Sequence, residues 1–248
     1  MEIVLNYKDF NVNNIHFIEP LNNIIMKKGL HINMVYKKIE YTLNEILLET
    51  PIMEAPFGIR KYDESDNKNK NKFYLDLSFK GYDEEQSEIK VFYEKIKQLD
   101  EYIVNKSKLF SNKWQLSGKK IEDLYINQIR YNYKDNLNKY PPTFKIKMSK
   151  NNSGLFTTKL YGENKDVDIL ENIIKSGSKL QVVIKCNGIW SIKNRFGITW
   201  KVRYIKLIPE IEKNLKTDIN DDCYLICDFE EDEKYIDFDM EDYYIYMS

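Results

Sequence analysis

Apolar residues occupy every second position on both sides of the tripeptide Lys193-Asn194-Arg195. This alternation predicts two long β-strands that form a hairpin, each with one apolar and one polar face. Gly188 interrupts the first strand, where a residue without a Cβ atom predicts a bulge or a sharp bend. Such a bulge would turn Trp190 to the polar face. The apolar positions of the two strands are Leu180, Val182, Ile184, Cys186, Trp190, Ile192, Phe196, Ile198, Trp200, Val202 and Tyr204.

Shorter stretches of the same alternation predict further strands. In residues 143–148 the apolar positions should face inward, and Lys145 and Lys147 should point outward. The pattern over residues 73–79 predicts a half-buried strand. Residues 121–134 fit either a helix or a strand, and we favour a strand toward their end. The remaining predicted strands cover residues 31–38, 44–53 and 155–161.

Apolar residues at helical spacing after Asp83 predict the longest helix, which we expect to run to about Phe110. Gln86, three residues after Asp83, completes a capping-box pattern at the start of this helix. A second, short helix is predicted over residues 167–174. Residues 63–72 are polar and of low complexity, so we expect a flexible hairpin loop there. The fold class that follows is mainly β, with helices inserted into one mainly antiparallel sheet.

Composition limits the class of protein. The chain has 248 residues, of which 42% are hydrophobic, and this is enough to bury a substantial core. Its three cysteines make no disulfide framework, and His16 and His31 do not have the spacing of zinc ligands. The N-terminus lacks a basic segment followed by an apolar run, and no stretch approaches the ~18 apolar residues of a membrane span. We therefore expect a soluble protein of a reducing, intracellular compartment, with no membrane partner.

The net charge of -1 hides an uneven distribution of charge. Residues 217–248 contain twelve acidic residues and one basic residue, a net charge of -11. The remaining 37 basic and 27 acidic residues give residues 1–216 a net charge of +10. A basic body attracts polyanions, and an acidic tail can compete with them for the same surface. A tail that serves only solubility is the alternative.

Sequence motifs of common catalytic chemistries are missing. The chain contains no GxxxxGK[ST] motif for a phosphate-binding loop. Neither His16 nor His31 lies in a recognisable nucleophile motif, and a structural role is expected for both. The acidic residues 228–233 lack the glycine and the ligand spacing of an EF-hand loop. We therefore expect a protein that is not an enzyme and that holds no cofactor or metal.

Cations beside planar rings recur along the chain, and single-stranded nucleic acid is bound by this combination. Cations follow the phosphates, while rings stack on exposed bases with about 1–3 kcal/mol per base and without a preference for sequence. A core position is the alternative for Trp190 and Trp200. The candidate nucleic-acid-binding residues are Arg130, Tyr131, Tyr133, Lys145, Lys147, Lys159, Tyr161, Trp190, Lys193, Arg195, Phe196, Trp200, Lys201 and Arg203.

The run VVIKCNGIWSIKNRFGITWKVRYIKL, with TPIMEAPFGIRKY and FYLDLSF before it and an acidic end after it, carries a resemblance to a known family. It resembles the single-stranded DNA-binding proteins of nucleocytoplasmic large DNA viruses, which are similar to the replication single-stranded DNA-binding protein of short-tailed phages. The resemblance implies an oligonucleotide-binding (OB) fold, a five-stranded Greek-key barrel with inserted helices and a flexible acidic C-terminal tail.

The resemblance also implies that the tail competes with DNA for the groove and contacts replication partners such as DNA polymerase or helicase. Family tails end on an aromatic residue, and Tyr246 is the candidate for that role in the terminal sequence YYIYMS. The residues of the tail expected to bind partners are Asp237, Phe238, Asp239, Glu241, Asp242, Tyr243, Tyr244 and Tyr246.

We thus expect an OB-fold nucleic-acid-binding domain with an N-terminal extension and inserted helices over residues 1–216, followed by the acidic tail over residues 217–248. The expected function is sequence-independent binding of single-stranded DNA in viral DNA replication and recombination, at a replication site in the host cytoplasm or nucleus. A homodimer is left open. The alternatives are an RNA-binding or transcription-associated module, and a structural or adaptor protein that binds no nucleic acid.

Overall fold

The computed structural model describes residues 3–18, 29–38, 42–43, 45–63, 71–116, 120–131, 140–161, 170–192 and 195–209. Its strands are β1 Val4–Asn6, β2 Ile15–Phe17, β3 Leu30–Ile32, β4 Met34–Lys37, β5 Thr42–Leu43, β6 Ile46–Glu49, β7 Met53–Ala55, β8 Ile59–Asp63, β9 Asn71–Ser78, β10 Tyr125–Ile126, β11 Ile129–Arg130, β12 Thr143–Met148, β13 Lys159–Leu160, β14 Ser178–Ile192 and β15 Arg195–Ile208. The helices are α1 Glu88–Leu109, α2 Ile121–Leu124 and α3 Leu170–Ile173, with a 3-10 turn at Val12–Asn14.

Five strands pair in a closed ring. β7 pairs with β9, β9 with β12, β12 with β15, β15 with β14, and β14 again with β7. The pairing of β12 with β15 is parallel, and the other four are antiparallel. Numbered in chain order, the strands follow each other round the ring as 1-2-3-5-4, which is the arrangement of an OB-fold barrel. The expected fold class, mainly β with inserted helices and an OB-fold barrel, is confirmed.

The barrel core is built from the apolar faces of its strands. Phe144, Ile146 and Met148 of β12 are buried and alternate with half-buried polar positions, as predicted. Helix α1 lies between the second and third barrel strands along the chain, and it buries Phe92 against Phe144 with ring centroids 6.0 Å apart. The second sheet has the strand order β2-β4-β5, and Phe17 of β2 contacts Trp114 with ring centroids 5.2 Å apart. In the part of the chain described above, no helix is both long and apolar enough to cross a bilayer.

Gly188 forms the predicted bulge in β14. The register with β15 shifts between Cys186 and Ile189, and Gly188 has a φ angle of +84°. Past the bulge Ile189 and Ser191 are buried, so Trp190 turns to the outer face and is half-buried. A second shift, between Val183 and Ile184, leaves Arg203 as an extra residue of β15. The hairpin therefore keeps its apolar face toward the core through two changes of phase.

Several expected boundaries and faces are wrong. Strand β9 is buried on both faces, because Arg60 of β8 covers Asp76 and Lys145 of β12 covers Tyr74 on its outer side. Helix α1 begins after Ser87, whose Oγ accepts from the amide of Ile89 at 3.2 Å, and not with a box from Asp83 to Gln86. Gln86 instead has a φ angle of +66°. The helix ends at Leu109 with Phe110 as its C-cap, as expected.

Other expected strands are shorter or divided. Residues 31–38 divide at Asn33 between β3 and β4, which belong to different sheets. Residues 44–53 are divided between β6 and β7, which belong to the same sheet. Within 121–134 the described part forms α2 and then β10 and β11, so a helix and short strands are both present. Of residues 155–161 only Lys159–Leu160 is a strand, with an isolated bridge between Phe156 and Lys150.

Replacement of Gly188 by alanine should destabilise the protein more than the same change at Gly154. Both glycines have a φ angle above +80°, so an alanine is strained by about 1–2 kcal/mol at either position. A Cβ atom at Gly188 would also lie 2.5 Å from the carbonyl oxygen of Ile32 and 2.7 Å from Nε2 of His31, whereas nothing lies within 4 Å at Gly154. We expect Gly188→Ala to lower the free energy of unfolding by about 1–3 kcal/mol more than Gly154→Ala. Equal losses in urea titrations would contradict this account of the bulge.

Candidate nucleic-acid interface

A row of basic and aromatic residues crosses the outer face of the barrel. In the strand register Arg60 of β8 lies beside Tyr74 of β9, Tyr74 beside Lys147 of β12, Lys147 beside Lys201 of β15, and Lys201 beside Lys185 of β14. Neighbouring strands lie about 4.8 Å apart, so the row extends over roughly 19 Å. We call these five residues the cross-strand row. It gives the barrel a continuous basic band.

Basic residues also follow one another along the strands. Arg130 of β11 lies beside Thr143, the first residue of β12, and the next outward positions of β12 are Lys145 and Lys147. Outward positions two residues apart on a strand are separated by about 6.8 Å. Cations therefore recur both across and along the same face, which is the arrangement needed to follow a phosphate backbone.

A compact group of rings and cations lies where the hairpin of β8 and β9 meets β12. Nζ of Lys145 lies 3.6 Å from the ring centroid of Tyr74 and 4.6 Å from that of Tyr62. The guanidinium of Arg60 lies 4.8 Å from the ring of Phe57 and 5.4 Å from that of Tyr62. The Phe57 ring is 54% exposed. We call these five residues the hairpin cluster, and its exposed ring is oriented by a cation.

Two carboxylates fix cations of this face in different ways. Asp76 is buried on β9 and accepts from Nε of Arg60 at 2.9 Å and from its Nη2, which holds the guanidinium between the two rings. Glu45 lies at the surface and pairs with Nζ of Lys185 at 2.5 Å. A surface pair of this kind is worth at most about 1 kcal/mol, so a phosphate can replace Glu45. Asp76, by contrast, is buried, and its pairing with Arg60 has a structural role.

The basic band continues to the far end of β15. Lys159 of β13 lies beside Tyr204 in parallel register, and the guanidinium of Arg203 lies 5.6 Å from the Tyr204 ring. The amide of Tyr161 donates to the carbonyl of Ile205 at 2.8 Å, and the Tyr161 side chain is 40% exposed. These residues extend the band beyond the point where β12 ends.

Phe196 and Trp200 do not belong to the surface, and the prediction that they stack on bases is wrong. Phe196 is 0% and Trp200 3% exposed, so neither ring has a free face. The Trp200 ring meets the edge of Phe144, with centroids 6.2 Å apart, and Phe196 packs against Tyr125 at 5.1 Å. Both occupy inward positions of β15, and for Trp200 this is the core position given above as the alternative. Their contribution is to the core that supports the outer face.

Trp190, the third ring of the β14–β15 hairpin that was predicted to stack on bases, lies on the outer face. Its indole covers Gly197 on the neighbouring strand, and a Cβ atom at Gly197 would lie only 3.1 Å from Cζ2 of Trp190. Arg195 is exposed at the start of β15, and Tyr131 is 42% exposed just after β11. Of the predicted residues that the structure describes, all except Phe196 and Trp200 thus lie outside the buried core. Tyr133, Lys193 and the whole tail, including Asp237, Phe238, Asp239, Glu241, Asp242, Tyr243, Tyr244 and Tyr246, lie outside the described residues.

Sequence reasoning missed the part of this surface that the hairpin of β8 and β9 forms. The segments IRKYD and KFYLD, which contain Arg60, Tyr62 and Tyr74, combine basic and aromatic residues. This combination was the signal in the sequence that could have identified them. Their meeting with Lys145 depends on the register of strands that are far apart in the sequence. Phe57 precedes β8 in a loop, and Lys185 is joined to Lys201 only by the hairpin register.

A buried carboxyl group of helix α1 binds the segment that leads to Arg130 and Tyr131. Asp100 of α1 accepts from Oη of Tyr125 at 2.6 Å and from the amide of Gln128 at 2.9 Å. Burial raises the pKa of Asp100 to about 7, although these hydrogen bonds act in the opposite direction. Within the described ranges no group of three or more His, Cys, Asp and Glu residues could hold a metal ion.

The barrel and its basic, ring-bearing face define an OB-fold protein with a candidate polyanion site. The chain belongs to a family of unknown function, DUF5871, whose model matches residues 79–224. Among solved structures, the chain is similar to the single-stranded DNA-binding protein of bacteriophage Enc34, solved in complex with single-stranded DNA, with 12% identity and a TM-score of 0.42. The similarity covers 75% of this chain and 93% of the phage protein. No curated protein sequence is significantly similar to this chain.

Asp100 should make the stability depend on pH. Its folded-state pKa of about 7 exceeds its usual value of 3.8, so its stabilising effect is complete below about pH 4 and is lost as the pH rises through 7. We expect the free energy of unfolding to fall over this range by up to about 1.4 kcal/mol per pH unit more in wild type than in Asp100→Asn, which cannot ionise. Urea titrations at pH 4.5, 5.5, 6.5 and 7.5 measure the difference. Parallel profiles of the two proteins would contradict the expectation.

Proposed function

We propose that this protein binds single-stranded DNA without sequence preference on the outer face of the barrel. The observation that carries the proposal is the cross-strand row, in which cations from β8, β12, β14 and β15 align beside one another. OB-fold barrels bind oligonucleotides on the face of their second and third strands and on the loops next to it. In this chain those strands are β9 and β12. The hairpin cluster joins them to the connection that leads to β9, because Tyr74 lies on β9, Lys145 on β12, and the other three members in the connection.

The exposed rings favour an unpaired strand as the ligand. Phe57, Tyr131 and Tyr161 are between 40% and 54% exposed, and Trp190 lies half-buried on the same side of the β14–β15 hairpin as Lys185. Bases in a duplex stack on one another, so their faces are not accessible to protein rings. In a single strand each base can stack on a ring while the cations neutralise the phosphates.

The proposed role is in viral DNA replication and recombination, without catalysis. Its support is the resemblance of the hairpin sequence to viral single-stranded DNA-binding proteins together with the uneven charge, +10 over residues 1–216 and -11 over residues 217–248. The domain covers residues 1–216. The tail competes with DNA for the basic face and docks to a replication protein such as a polymerase or helicase.

Neutralising two members of the cross-strand row should weaken binding and reduce its dependence on salt. For single strands each phosphate contact contributes about 0.7 to the slope of log affinity against log salt, so Lys147→Gln with Lys201→Gln should reduce the slope by about 1.4. Fluorescence anisotropy with labelled oligothymidine over a series of salt concentrations measures both quantities.

The matched control for this pair is Lys37→Gln with Lys95→Gln, which removes the same charge from the second sheet and from α1. The control pair should keep the wild-type slope. If the two double variants have the same slope of log affinity against log salt, the cross-strand row does not belong to the site. Equal affinity for duplex DNA would count against an unpaired ligand, a preference for oligouridine would favour an RNA-binding module, and no binding at low salt would favour an adaptor.

Removal of residues 217–248 should tighten DNA binding. The tail acts as a tethered polyanion at high local concentration, so its loss should raise the affinity for oligothymidine by about tenfold at low salt. The gain should shrink as salt increases, because salt screens the attraction between tail and barrel. Filter-binding titrations of the full chain and of residues 1–216 provide the comparison. An unchanged affinity at low salt would show that the tail does not occupy the site.

A further inference from the structure

Residues 120–131 fill the opening between two barrel strands at one end of the candidate site. β11 pairs with β12 at Thr143 and Phe144, and β10 pairs with β15 at Phe196 and Gly197. Each pairing involves only two residues. We call residues 120–131 the bracket. Such short ladders contribute little by themselves, so the position of the bracket depends on its other contacts.

Helix α1 supplies these contacts from one face. Asp100 binds Oη of Tyr125 and the amide of Gln128 at the two distances given above. Two helical turns earlier, at the spacing that places residues on the same face, the hydroxyl of Tyr93 is hydrogen-bonded to the hydroxyl of Tyr131. The helix thus holds the bracket near both ends of its two strands.

Tyr93 is itself fixed. It is buried on α1, its ring lies 5.4 Å from Phe79 in an edge contact, and it lies 4.9 Å from the ring of Tyr82. Its partner Tyr131 keeps much of its ring exposed and directly follows Arg130, which lies beside the first outward position of β12. A buried hydroxyl therefore restrains an exposed ring that lies next to the basic band.

We propose that Tyr93 is a positioning residue of the nucleic-acid site, which holds the ring of Tyr131 ready to stack on one unpaired base beside Arg130. The inference rests on the proposed function. A ring that is already held in place loses less conformational freedom when it binds, and this raises affinity without a further contact. Asp100, which lies two helical turns after Tyr93, supports the same arrangement because it fixes the part of the bracket from which Tyr131 extends.

Tyr93→Phe tests this role in the full-length protein, because it removes the hydroxyl and keeps the ring packing. We expect Tyr93→Phe to weaken binding of oligothymidine by about threefold to tenfold, and Tyr131→Phe to weaken it equally. The double variant should show no further loss, because the two hydroxyls act as one pair. Tyr131→Ala, which removes the stacking ring, should cost about fivefold or more.

The control is Tyr102→Phe on the same helix, where the hydroxyl donates to the carbonyl of Ile15 at 2.9 Å, away from the bracket. It should bind within twofold of wild type. A strand of the same length without bases is the second probe. Since only stacking is lost, Tyr93→Phe should bind this abasic strand as wild type does, and the salt slope should not change.

The inference is overturned if Tyr93→Phe binds oligothymidine as tightly as wild type, if the losses of the two single variants multiply, or if the abasic strand is weakened equally. Each of these results is separate from a failure of the proposed function. The latter would appear as wild-type protein that does not bind oligothymidine at all, or as binding that Lys147→Gln with Lys201→Gln leaves unchanged.

Discussion

The parallel pairing of β12 with β15 is the contact on which the rest of the structure depends, because it closes the ring of five strands. Closure gives every barrel strand an inner and an outer side. Large rings such as Phe144 and Trp200 then fill the inner side, and lysines take the outer positions between them. The same contact places Lys147 beside Lys201, so closing the core also joins the two halves of the basic band.

Two local features shape the outer face of this barrel. The bulge at Gly188 turns Trp190 outward without opening the core, at a point where the carbonyl of Ile32 leaves no room for a side chain. The bracket fills the opening between β12 and β15 and is held from helix α1 by a buried carboxyl group and a tyrosine hydroxyl. Insertions into the barrel thus shape its outer face as well as stabilising it.

Much of the fold could be predicted because it depends on local pattern. Alternation revealed the hairpin and the outward lysines of β12, and a single glycine revealed the bulge. The prediction that Phe196 and Trp200 stack on bases was wrong, although alternation placed both at apolar positions, because a cation beside a ring in sequence does not bring the ring to the surface. The hairpin cluster was missed because Tyr62 and Tyr74 meet Lys145 only through the register of distant strands. The prediction that β9 is half-buried was wrong for the same reason: Arg60, which covers Asp76 on its outer face, comes from another strand.

The central claim is that an unpaired strand lies along the outer face of the barrel and stacks on its exposed rings. Photo-cross-linking of the full-length protein to an oligonucleotide that contains 5-iodouracil, followed by mass spectrometry of the peptides, tests it most directly. The account predicts adducts on Phe57 or Tyr62 of the hairpin cluster, on Tyr131 and on Trp190. Adducts confined to helix α1 or to the second sheet, from a protein that binds the oligonucleotide, would contradict it.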